Sequence, residues 1–430
     1  MKRILLSLLL LFTTVAHAQN TVAPSLTPAY FTPQFFGIHV HHPEVPALLP
    51  RAQFGAVRMW DGAGTWGDIQ PTDGATWSWA RMDQYMDALG TAPTMKILLT
   101  FGRTPKWAAL DKVTPNAAYG AGSASPPADM DDFRLYVRTL ATRYKGRIEA
   151  YQTGNEANTL AFWQGTVQQL VDLTCAAYQE IKAVDPTALV VMPSGTGAYS
   201  PPTLFVKQFL GLGGNACVDV YAYHLYTSGT PPEAFLQPML DMRASLIAAG
   251  YTKPIWDTET GYLMPGAKVG MYASTNPVWS DYEKASLVGD YDAGDFMVRT
   301  MLLARALDFQ RVYWYAWDNN KMGFIDNGSK LPNDQADVLR RFRAAFFGTG
   351  LVGSCTKSST GIWQCPIQVN TTTQRNGQIV WTDPGATSQV QPFTPAYRAN
   401  VTTFHSDTIT LIPAGTVINV TPTPRLFIWQ

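Results

Sequence analysis

The chain has 430 residues, with 32 Lys and Arg against 32 Asp and Glu, a formal net charge of zero, and 12% aromatic to 15% charged residues. Its cations are scattered, so the basic footprint that a nucleic-acid partner requires is missing. Many aromatics and few charges suit a surface that handles an uncharged or weakly charged ligand.

Lys2 and Arg3, an apolar run from Ile4, and Ala16-His17-Ala18 before Gln19 follow the order of a secretory signal peptide. Residues 1–18 are expected to be cleaved after Ala18, which places the mature protein in the periplasm or outside the cell. No later apolar run reaches spanning length, so no membrane span is expected. Residues 19–34 then read as an N-terminal arm.

From 35 to 349, short apolar runs alternate with helix-like stretches. The candidate strands are FFGIHV from Phe35, FGAVRMW from Phe54, MKILLTF from Met95 and IEAYQTGNE from Ile148, then ALVVMPS from Ala188, VDVYAYHLY from Val218, PIWDTETGY from Pro254 and RVYWYAW from Arg311. Between them DDFRLYVRTLATRYKG from Asp131 and TVQQLVDLTCAAYQEIKAV from Thr166 are amphipathic. The first follows Pro126-Pro127 and an Asp cluster and ends at Gly146, the start and stop signals of a helix. Eight such alternations in about 300 residues are the count and size of an α/β (β/α)8 TIM barrel. An open doubly wound sheet is the second reading, but no glycine-rich phosphate loop follows the first strand.

From 350 to 430 the helical periodicity vanishes. GIWQCPIQV, GQIVWT, TITLIP and RLFIW stand between Gly, Pro, Asn and Thr clusters, the pattern of a small β-sandwich-like accessory domain. Having no concentration of ionisable groups, it is expected to buttress the barrel, with carbohydrate binding the lesser reading. Four cysteines, Cys175, Cys217, Cys355 and Cys365, lack metal-type spacing, and an even count in an exported chain favours disulfides. Cys355 with Cys365 would close a short loop, leaving Cys175 with Cys217; other pairings stay open.

Barrel enzymes gather their chemistry at the carboxyl ends of the strands. Those ends carry His39 and His41, then Arg58, Trp60 and Asp61, then Arg103, Asn155 with Glu156, His224 with Tyr226, Glu259, and Trp314 to Asn319. At about 31 residues per βα unit, strands four and seven should place their ends roughly 94 residues apart, an interval that Glu156 and Glu259 fit. Two carboxyl groups across a sugar-sized cleft are what glycoside hydrolysis needs, one protonated to donate to the leaving oxygen and one ionised to attack or to activate water. Neighbours can split their pKa values, a guanidinium such as Arg58 holding one ionised. His39 and His41 share a strand face and could bind a metal, but no third ligand is evident, so sugar hydroxyl binding or packing is expected. No cofactor is implied. Trp60, Trp66, Trp107 and Trp163 follow strand ends, where indoles can stack on sugars. With the long loops from Thr104 to Pro127 and from Leu263 to Asp292, they suggest a walled groove and cleavage within a polysaccharide chain.

Together RMWDGAGTWGDIQP, ILLTFGRTPKWAA, PPADMDDFRLYVRTLATRYKGRIEAYQTGNEAN and WDTETGY resemble family 39 glycoside hydrolases, among the retaining barrels of clan A. The similarity runs from about Phe35 to Asn319. That family includes β-xylosidases, α-L-iduronidases and endoglycosidases of bacterial exopolysaccharides. The resemblance implies Glu156 as acid/base and Glu259 as nucleophile, with Arg58, His224, Tyr226 and Trp317 lining the subsite where the bond breaks. Gly154 and Ala157 stand where the family often has Trp and Pro around its Asn-Glu pair. An oligosaccharide or polysaccharide is the expected partner. An exo-acting glycosidase, a silent carbohydrate-binding barrel and a histidine-centred metallohydrolase are the competing readings.

Overall fold

The computed structural model describes residues 29–45, 54–73, 76–90, 94–116, 118–197, 202–227, 230–263, 290–319, 322–325, 329–368, 376–383 and 391–430. The expected signal peptide, and residues 264–289 of the expected loop after the seventh strand, lie outside them.

Eight parallel strands form the barrel: β1 (Phe36–His39), β2 (Ala56–Met59), β3 (Lys96–Thr100), β4 (Ala150–Gln152), β5 (Leu189–Val191), β6 (Tyr221–His224), β7 (Ile255–Thr260) and β8 (Phe309–Trp314). Neighbours pair in sequence from β1 to β5, and β8 joins β1 to β7, which pairs with β6. A short continuation of the fifth strand, Gly195–Thr196, pairs with β6, and a parallel bridge from Val191 to Val220 closes the ring.

Side chains alternate across each strand. Ala56, Leu98, Ala150, Val191, Val220, Ala222, Trp256 and Tyr313 fill the lower interior. The opposite faces pack under the helices in a second, larger core. Helix starts are built as their sequences require. Asp129 accepts the Asp131 N–H before α1 (Met130–Arg143), and Thr166 with Gln169 forms a reciprocal capping box before α2 (Val167–Val184). Gly146 supplies a left-handed φ of 75° just past α1.

The C-terminal region supplies seven strands of an eight-stranded antiparallel sheet and a two-stranded pair, Gln391–Phe393 with Ile418–Val420. Strand Ile362–Gln368 shows why it folds as two layers. Trp363, Cys365 and Ile367 face the main core, while Ile362 packs with Val380, Val401, Val420 and Phe427 in a separate one. Phe404 lies against Phe342 and Phe346 of α3 (Asp334–Phe346), and Trp381 donates to Glu233 of the barrel at 2.7 Å. The end of the N-terminal arm belongs to this sheet, since Ala29–Tyr30 pairs antiparallel with Gly350–Leu351. The chain therefore starts one layer, builds the barrel and returns to finish that layer. Disulfides join Cys175 to Cys217 and Cys355 to Cys365. No described helix is long and apolar enough to cross a membrane.

Candidate active site

Arg58, fully buried on β2, organises the upper interior. Its Nη1 donates to Glu259 Oε2 at 2.6 Å and its Nη2 to Asn155 Oδ1 at 2.7 Å. Its Nε reaches Thr100 Oγ1 and Gln152 Oε1, both at 3.1 Å. Residues from three strand ends thus converge on one guanidinium, whose charge-assisted bonds fix their side chains.

Glu259 reaches this interior through an irregularity in β7. Trp256 lies in the barrel interior, and Thr258 also points inward, accepting from Gln152 Nε2 at 3.0 Å. Simple alternation would turn Glu259 outward. Between Asp257 and Thr260, however, β7 carries one residue more than its partners. Tyr223 and His224 pair with Asp257 and Glu259, while Val312 and Trp314 pair with Asp257 and Thr260. This bulge lets Thr258 and Glu259 face the same way. Tyr226 OH donates to Glu259 Oε1 at 2.7 Å, so both carboxylate oxygens are held.

Glu156 sits just beyond β4 with a left-handed φ of 38°, a conformation costly for a residue with a Cβ. Its N–H donates to Ser194 Oγ at 3.1 Å and the next N–H, of Ala157, to Ser194 O at 2.8 Å, which pins the turn. Its Oε1 lies 3.0 Å from His224 Nδ1. Burial raises the Glu156 carboxyl to about 7, opposed by Thr196 and more weakly by Arg58. Burial also lowers His224 to about 3, so the imidazole is neutral near neutral pH. One oxygen of Glu156 and one of Glu259 lie within 4.8 Å of each other and of a His224 nitrogen. These three could surround a cation, but Arg58 already supplies positive charge at 2.6 Å from Glu259.

The remaining strand-end residues divide into walls and core. His39 shares a hydrogen bond with Trp60 O at 2.8 Å, and burial depresses its pKa strongly. His41 is bracketed by Asp318 Oδ1 at 3.1 Å and Tyr315 OH at 3.0 Å. Neither imidazole is arranged as part of a metal cluster among the described residues. Asp61 accepts from Tyr119 OH at 2.8 Å, and burial raises its carboxyl. Arg103 pairs with Asp68 at 2.5 Å and lies 5.1 Å from the Tyr119 ring centre. Tyr119 therefore brings the loop after β3 over the mouth of the barrel. Trp60 lies across Gly102, where a Cβ would come within 2.7 Å of the indole.

The structure differs from the sequence reading at the aromatic residues. Trp317 is 2% exposed and packs against Phe54 and Phe324 in the core. The aromatic of the eighth strand that borders the site is Tyr315, partly exposed, 4.7 Å from the His39 ring and bonded to His41. Alternation from Arg311 through Tyr313 would have found it; the chain leaves the strand after Trp314, so the count fails at Trp317. Trp66 stacks on buried Tyr136, Trp107 donates to Gln70 O at 2.9 Å, and Trp163 donates to Thr166 O at 3.0 Å. These three indoles pack loops against the barrel. Ser194 ends the fifth candidate strand and Asp318 lies in the Trp314–Asn319 run, while Tyr119, which sequence reasoning missed, acts from a loop whose return to the site no local pattern encodes.

No family model matches the chain, and no curated protein matches it. Solved structures do. A monomeric β-xylosidase from Caulobacter crescentus CB15 is 15% identical with a TM-score of 0.61, over 94% of this chain and 97% of that one. A glucosidase from Croceicoccus marinus is 13% identical with a TM-score of 0.60, over 94% and 97%. A GH30 endoxylanase from Clostridium papyrosolvens C71 is 13% identical with a TM-score of 0.58, over 94% and 98%. Coverage this complete includes both the barrel and the C-terminal sheet domain, so the two-domain architecture is a shared fold.

Proposed function

We propose that the protein is a retaining glycoside hydrolase acting on a polysaccharide by double displacement. The observation that carries the reading is the approach of Glu156 and Glu259 to within 4.8 Å, Glu259 held by Arg58 and Tyr226 and Glu156 beside His224. Retaining enzymes hold their carboxyl groups about 5–5.5 Å apart, whereas inverting ones leave about 6.5–9.5 Å for a water. Glu259, against Arg58 and Tyr226, would attack the anomeric carbon and form a glycosyl-enzyme. Glu156, protonated at first, would donate to the leaving oxygen and then, as its carboxylate, take a proton from the attacking water. Asn155, held by Arg58, would bind a sugar hydroxyl beside the reacting carbon.

The fold shared with proteins named glucosidase, β-xylosidase and endoxylanase supports this class. Within clan A, the sequence motifs favour a family 39-like enzyme, although family 39 is not singled out among these neighbours. The two disulfides support action outside the cytoplasm, in line with the expected signal peptide. Cleavage within chains keeps the Tyr119 loop as its support. The packing of Trp66, Trp107 and Trp163 instead favours a second reading, an exo-acting glycosidase with few stacking platforms.

The test is a screen of polysaccharides and aryl glycosides with the wild type and Glu259→Ala side by side. Turnover by the wild type alone is expected; equal rates from both would remove the assignment. On a susceptible polymer, an early ladder of oligosaccharides means internal cleavage, and one released monosaccharide means an exo-enzyme.

A further inference from the structure

Asp257 lies on the other side of β7 from the site, and the mechanism above makes no use of it. Ile255 packs in the outer core while Trp256 faces inward, so Asp257 falls on the helix-facing surface of the strand. It is fully buried there, 0% exposed. A carboxyl in such a place needs a reason, because burial without compensation is costly.

Its contacts supply one. Asp257 Oδ1 accepts the Leu225 N–H at 3.3 Å. Leu225 lies between His224, which touches Glu156, and Tyr226, which touches Glu259. This amide lies just past the point where the register between β6 and β7 shifts. A bulge disrupts the ladder locally and leaves backbone groups in need of other partners. Asp257 provides one, to Leu225, from behind, at the place where the alternation of β7 changes.

We propose that Asp257 is the positioning residue of the site, its carboxyl holding the bulge that turns Glu259 toward Arg58. This rests on Glu259 being the nucleophile, but the geometric part stands apart from the chemistry. Asp257 Oδ2 has no hydrogen-bond partner among the described residues, and burial raises the carboxyl well above the usual range. A neutral group with one accepting oxygen therefore suffices. Asparagine reproduces that oxygen, and leucine fills similar space without it.

The experiment compares Asp257→Asn and Asp257→Leu by crystallography and kinetics. In the asparagine variant Glu259 keeps its contacts with Arg58 and Tyr226, and kcat stays within about tenfold of wild type. In the leucine variant the bulge relaxes, the 2.6 Å contact from Arg58 to Glu259 opens beyond hydrogen-bond range, and kcat falls about 100-fold or more, while KM moves little. A leucine variant that retains the bulge and both Glu259 contacts overturns the proposal, as does an asparagine variant as impaired as leucine. If the wild type turns over no glycoside, the catalytic reading falls and the crystallographic comparison still decides the role of Asp257. Should the leucine variant not fold, hydrogen exchange in the wild type and the asparagine variant replaces it. A Leu225 amide as protected as its strand neighbours supports the proposal; exchange about 100-fold faster than those neighbours contradicts it.

Discussion

Glu259 rests against a guanidinium and a phenol, each donating to one of its oxygens, whereas Glu156 rests against an imidazole that burial keeps neutral. The first surroundings stabilise a carboxylate. The second leave a carboxyl whose proton is held to about pH 7. Two glutamates less than 5 Å apart at their nearest oxygens are thus separated in chemistry by what stands behind each one. On β7 it is a buried ion pair; at the end of β4 it is a strained turn pinned by Ser194. Similar side chains stand in different surroundings, as the proposed general acid and nucleophile require.

The sharpest way to break this contrast is to remove one carboxyl at a time. Glu259→Ala should lower kcat by about four orders of magnitude or more, some 5 kcal/mol of transition-state stabilisation, on every substrate. Glu156→Ala should instead cost about 10²- to 10⁴-fold on glycosides with poor leaving groups. It should slow the first step little for activated aryl glycosides, which need no proton. Steady-state and burst kinetics on a leaving-group series separate the two patterns, and identical profiles for both variants would dissolve the assigned roles.

A smaller effect follows from pH. With Glu156 as the proposed acid and its pKa raised to about 7, kcat/KM should fall about tenfold per unit of pH above that value. His224, lowered to about 3, stays neutral through this range and does not supply the limb. The limb should vanish or move in Glu156→Gln.

The same shift has a consequence for stability, the smallest effect expected. A carboxyl whose folded pKa is about 7 against an ordinary 4.5 contributes no penalty below about pH 4.5; the penalty builds as pH rises from 4.5 to 7 and is complete above that. Glu156→Gln should therefore match the wild type near pH 4.5 and exceed it at pH 8, by at most about 3 kcal/mol. Thermal or denaturant unfolding at the two pH values reads this, and a gap that is constant with pH would contradict it.

How far this arrangement was legible depends on whether strand position or loop path sets the contact. Arg58, Glu156, His224, Tyr226 and Glu259 stand at strand ends, and the regular βα repeat makes strand ends countable in a sequence. The bulge in β7 was not legible, because WDTETG reads as an ordinary strand while its inward turn depends on pairing with β6 and β8. Trp317 and Tyr315 exchanged places for a related reason. Both aromatics belong to one short run, and only the point where the chain leaves the sheet decides which borders the site. The pairing of Ala29–Tyr30 with Gly350–Leu351 joins segments far apart in the chain, and two-residue strands carry no periodicity to reveal it.

The measurement that bears most directly on the two-carboxylate account is proton NMR of the first-formed product from a susceptible glycoside. Double displacement through Glu259 predicts that the anomeric configuration of the substrate is retained before mutarotation sets in. A product first seen with the inverted configuration would contradict it.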